Sequence, residues 1–160
     1  HSLFTGPWAV PTGLVHAAVL PADVMARSAV PSKMGSAFEA QTLGAAKLHS
    51  GLARVPLKAM CLLSSAAGVV GSIGQGVHAA ASTLLDVLAL SRRLHGSVGS
   101  SIQMLPVSTD AVSPVAEYGL FTLAGYEACL RGALSLSGEV TANVQAPLPY
   151  DVLAKLPLMM

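Results

Sequence analysis

Ala59-Met60-Cys61-Leu62-Leu63-Ser64-Ser65-Ala66-Ala67-Gly68-Val69-Val70-Gly71-Ser72-Ile73-Gly74-Gln75-Gly76-Val77-His78-Ala79-Ala80-Ala81-Ser82-Thr83-Leu84-Leu85 is the stretch on which the fold turns. It carries no formal charge, and it lies in a proline-free segment from Leu57 to His95. That segment opens after Pro56 and closes on Arg92, Arg93 and His95, followed by Gly96. Basic residues facing the negative end of a helix, then a glycine able to take a left-handed cap, make a good helix stop. Read as one helix over 57–95, the uncharged part exceeds the roughly 20 residues needed to cross a bilayer. Arg54 and Lys58 flank one end and Arg92 and Arg93 the other, so basic residues set no orientation.

Spacing within the stretch sharpens this reading. Ser64, Gly68, Ser72 and Gly76 recur every four residues, with Ala80 continuing the series. On a helix they form a strip of small side chains, and such strips let two helices approach closely in lipid. Each glycine costs about 1 kcal/mol of helix propensity relative to alanine, so the strip calls for a covering partner. Ser64, Gly68, Ser72 and Gly76 are therefore the expected helix-packing residues. A buried helix in a soluble bundle is the competing reading of the same residues.

Outward from this segment, Ser36-Ala37-Phe38-Glu39 has the spacing of a capping box and predicts a helix over about 36–54. It ends before Pro56, which pushes Val55 out of helical conformation. Ser113-Pro114 predicts a third helix over about 114–137, with Leu120, Leu123, Leu130 and Leu134 as its apolar stripe. Glu127 and Arg131 stand four apart on it, the spacing of a surface or interface ion pair. Residues 1–35, with Pro7, Pro11, Pro21 and Pro31, read as an extended arm with short helical turns. Residues 139–160, with Pro147, Pro149 and Pro157, read as an extended tail.

Composition excludes several functions. Hydrophobic residues make up 52% of the 160-residue chain and charged residues 11%, so charge-driven disorder is excluded. A net charge of +1 gives no electrostatic footprint for nucleic acid. Cys61 and Cys129 have no metal or redox spacing, and His16, His49, His78 and His95 are scattered without a ligand pattern. No nucleophile motif is present. Gly74-Gln75-Gly76-Val77-His78-Ala79 matches G-x-G-x-x-A, a form of the dinucleotide fingerprint. It lacks the acidic residue about twenty positions on that would bind a ribose.

The expectation is a mainly α protein with one long, small-residue-rich central helix, shorter helices and proline-containing arms. Its expected role is non-enzymatic, as a structural accessory subunit of an organellar energy-converting membrane complex, with neither cofactor nor metal. Other subunits of that complex and membrane lipid are the expected partners. The chain begins with His1 rather than Met, compatible with a removed presequence, and this points to the mitochondrial inner membrane ahead of the thylakoid. A peripheral amphipathic-helix protein coating lipid or granules is the alternative. A dinucleotide-binding enzyme is the remote one.

Overall fold

The computed structural model describes residues 10–20, 24–28, 30–105, 123–135 and 144–145. Four strands, β1 (Gly13–His16), β2 (Ala59–Ser65), β3 (Ser100–Met104) and β4 (Val144–Gln145), pair in the order β1-β2-β3-β4. All three pairings are parallel. Helix α1 (Pro31–Phe38), a π turn (Glu39–Leu43) and α2 (Gly44–Gly51) connect β1 to β2. The short α3 (Ala67–Val70) and the 19-residue α4 (Gly76–Leu94) connect β2 to β3, and α5 (Leu123–Ser135) precedes β4. The architecture is a parallel α/β sheet, which overturns the mainly α expectation.

The correction centres on Ala59–Ser65, expected to begin a long helix and found as a strand between two strands. Its register sets Leu62 against His16 on one side and Ser101 on the other. Met60 and Leu62 face the core under α2 and α4, with Leu57, Leu85 and Ala89. Cys61 and Leu63 face the opposite side, where Ile102 packs with Cys129, Leu130 and Ala133. A strand buried on both faces reads as a continuous apolar run and shows no alternation, so periodicity cannot separate it from a buried helix. Burial pushes the Cys61 thiol up to about 11, so it stays protonated as a core side chain.

The rest of the expected central helix divides in two. α4 buries Ala81, Leu85 and Ala89, spaced four apart on one face. It stops at Gly96, whose φ of +71° suits a residue without Cβ. There the Gly96 N–H donates to the Arg93 carbonyl and the Ser97 N–H to the Arg92 carbonyl, both 2.9 Å, a Schellman closure. α4 carries Asp86, Arg92 and Arg93, and among the described residues no helix is long and apolar enough to cross a membrane. The membrane-spanning reading falls with the helix that carried it.

Before β2, helical structure starts earlier than the capping box implies. Pro31 occupies the first turn after an extended Val30, with no side-chain cap, and Ser36 lies inside α1. Proline's fixed φ is pre-set for that position. α5 lies within the range expected for the third helix, whose start at Ser113-Pro114 is outside the described residues. On it Arg131 and Glu127 pair at 2.7 Å in an exposed position, where such pairs add little stability.

At the amino-terminal edge of the sheet, the largely buried Arg92 donates from Nε to the Val98 carbonyl and from Nη1 to His49 Nδ1, both 2.7 Å. Burial and then the Arg92 charge hold the His49 imidazole below its ordinary 6.5, with a smaller contribution from His95. On acidification the unfolded chain therefore takes up this proton before the folded one does. The stability contributed by neutral His49 is complete above about pH 6.5 and drains as pH falls toward the lower folded value. His49→Gln, which keeps an acceptor for Arg92, is expected to flatten the acid limb of urea midpoint against pH. Leu62→Ala, at a fully buried site, is expected to cost about 2–5 kcal/mol in urea unfolding. Leu94→Ala, at a site 76% exposed, is expected to change stability by less than about 0.5 kcal/mol.

Candidate functional site at the carboxyl edge of the sheet

Parallel strands bring their carboxyl ends to one edge, where α/β sheets bind ligands. Here that edge holds His16 from β1, Ser65 from β2 and Met104 from β3. At the end of β2 the Ser65 hydroxyl accepts the Ala67 N–H at 3.2 Å, turning the chain into α3. α3 lies close against α4: a Cβ on Gly68 would sit 3.0 Å from Thr83 Oγ1 and 3.4 Å from the Ala79 carbonyl. The loop between them returns through Gly74, at φ +72°, whose carbonyl accepts the Val24 N–H at 2.7 Å. The segment after β1 is thereby tied to the loop after β2.

The rim so formed is largely apolar, with Val19, Leu20, Met25 and Ile73 exposed. Ser65, Gln75 and His78 are its part-buried polar side chains. His78 lies in the first turn of α4, and its imidazole makes no hydrogen bond among the described residues. An apolar rim with a few polar groups is the usual composition of a small-molecule site.

Beneath the edge lies a closed polar chain. His16 Nε2 donates to the Gln41 carbonyl at 2.8 Å, and Gln41 Nε2 donates to Ser82 Oγ at 3.3 Å. Ser64 Oγ donates to the Ser82 carbonyl at 3.0 Å. All four residues are buried. Gln41 sits in the π turn, a local widening often found beside functional sites. None of the bonds involves a carboxylate or a lysine, so the network fixes position and carries no formal negative charge. Among the described residues no three His, Cys, Asp or Glu side chains come together as a metal site requires.

The four residues expected to line one helix are distributed differently. Ser64 is a buried strand residue, Gly68 is in α3, Ser72 is in the exposed loop and Gly76 opens α4. Gly68 does permit close helix packing, against the chain's own α4. Ser65, Gln41 and Ser82 escaped the sequence reading. The signal for Ser65 was there, in an apolar run closing on Ser64-Ser65 and small residues; the Gln41–Ser82 contact, 41 positions apart, had none.

Residues 9–109 match the family model described as the KR domain. The chain belongs to the KR domain family. This KR-family chain is 32% identical over 147 residues to polyketide synthase GfsA from Streptomyces halstedii, covering 92% of the chain and 2% of GfsA. It is 27% identical, at a TM-score of 0.74, to a structure described as A-type ketoreductases from modular polyketide synthase, with 89% of this chain and 32% of that one covered. The first ketoreductase of the tylosin polyketide synthase aligns at TM-score 0.70 and 26% identity, over 85% of this chain and 31% of that one. The chain thus spans about a third of these ketoreductases and a small part of the curated synthase.

Family membership overturns the accessory-subunit expectation, and with it the non-enzymatic role, the membrane-complex partners and the inner-membrane placement. The lipid-coating alternative falls too. The remote alternative, a dinucleotide-binding enzyme, fits the family better than the leading reading did.

The motif that suggested that alternative does not supply its site. Reductases of this kind draw hydride from a reduced nicotinamide dinucleotide, whose pyrophosphate needs a glycine-rich turn directly between a strand and a helix. Gly74-Gln75-Gly76 enters α4 only after α3 and a loop have intervened since Ser65. β1 runs on through Ala17-Ala18-Val19-Leu20, and β3 through Leu105. No described strand end has the required turn, so the described residues do not fit the pyrophosphate end of the cofactor, and no step is routed through it.

Gln41→Leu leaves Ser82 Oγ buried without its donor, and is expected to cost about 1–3 kcal/mol in urea unfolding. Adding Ser82→Ala removes the orphaned hydroxyl, so the double variant should lose less than the sum of the single losses. Strict additivity would show that the contact carries no coupling.

Proposed function

We propose that this KR-family chain serves keto-group reduction in polyketide assembly by receiving the substrate carbonyl at the carboxyl edge of its sheet. Reduction of a ketone adds a hydride to the carbonyl carbon and a proton to its oxygen. The residues of this chain bear on the oxygen. The Ser65 hydroxyl, at the end of β2, donates a hydrogen bond to that oxygen as negative charge develops on it. The His78 imidazole, without another partner among the described residues, supplies the proton in its protonated form. The apolar rim of Val19, Leu20 and Ile73 takes the carbon chain flanking the carbonyl. The observation that carries this reading is the placement of both polar groups at the carboxyl edge, within the matched span 9–109.

A ketone thioester of the β-ketoacyl type, titrated into the isotopically labelled chain, tests it by nuclear magnetic resonance. Saturable shifts are expected at Ser65, the 71–75 loop and His78, weakened about tenfold or more by Ser65→Ala. Saturable shifts confined to the amino-terminal edge, or none at all, would remove the reading.

A further inference from the structure

The helices covering one face of the sheet leave an apolar groove of about 650 Å³ on their outer side. Phe38, Leu43 and Ala46 form one wall, and Leu84, Val87 and Leu88 of α4 form the other. This surface is unusually bare: Leu43, Leu84 and Val87 are 44%, 44% and 53% exposed, and the neighbouring Leu90 is 46% exposed. Scattered exposed leucines are ordinary in soluble proteins, but a contiguous apolar groove marks a contact surface.

Charge along the groove indicates what covers it. The two walls run in the same direction, since Gln41 meets Ser82 near the carboxyl edge and His49 meets Arg92 near the amino edge. Glu39 lines the groove at the first end. Lys47 is exposed beside Ala46 toward the second. The groove is thus acidic toward one end and basic toward the other, with leucine and valine between. A two-fold rotation about its middle exchanges the ends, setting Glu39 of each copy against Lys47 of the other while apolar wall meets apolar wall. That self-complementarity is the requirement for an isologous dimer. We propose that a second copy of this chain covers the groove, with the helix pairs antiparallel across a two-fold axis.

Sedimentation velocity over a concentration series tests this, with circular dichroism to check that each variant folds. The chain is expected to dimerise reversibly, and Val87→Glu, at an exposed site, to weaken association about tenfold or more. Glu39→Lys should weaken it as well, and Lys47→Glu added to that variant should restore it. A chain that stays monomeric at every concentration overturns the proposal, as does a dimer indifferent to Val87→Glu or a double charge reversal that recovers nothing.

Discussion

The structure depends on β2 being covered on every side. Its edges are saturated by β1 and β3, one face lies under α2 and α4, and the other lies against α5. Hydrogen bonding alone would not select this arrangement, because a helix satisfies the same backbone groups within itself. What selects the strand is two-sided burial: Met60 and Leu62 enter one core while Cys61 and Leu63 enter the other. A helix over the same residues would send these four side chains around its axis instead of into two separate layers.

Once β2 is a strand, the carboxyl edge follows. Ser64 and Ser65 alternate in direction, so one enters the buried network through Ser82 and the other accepts the turn into α3. Gly68 then lets α3 lie close on α4, which sets where the loop through Gly74 returns and where His78 stands. The network from His16 through Gln41 and Ser82 to Ser64 joins the ends of β1 and β2 to two helices. It uses hydroxyl, amide, imidazole and backbone groups, which satisfy one another without the desolvation cost of a buried carboxylate. An edge held this way is rigid below and apolar around its rim, which suits a site that must hold a neutral carbonyl.

Legibility varied residue by residue, for physical reasons. The end of α4 could be read from Arg92, Arg93, His95 and Gly96, because capping is local and writes itself into adjacent positions. The need for close packing at Gly68 was also readable, though the partner was not: a period of four names a helical strip only if the segment is one helix. Here Ser64, Gly68, Ser72 and Gly76 fall in a strand, a short helix, a loop and a helix start. The G-x-G-x-x-A match pointed to the right class of fold through residues that do not occupy the fingerprint position. It was a coincidence of composition in a chain with 15 glycines.

By itself the sequence determined where helices stop, which residues are apolar, that electrostatic attraction to nucleic acid is absent, and that the middle of the chain needs cover. Those properties belong to single side chains and to their near neighbours. Tertiary structure decided that the cover is two strands and two layers of helix from the same chain, and that Ser65 and His78 share an edge. Strand pairing joins residues about forty positions apart, such as Leu62 and Ser101, and no local spacing records a partner at that distance.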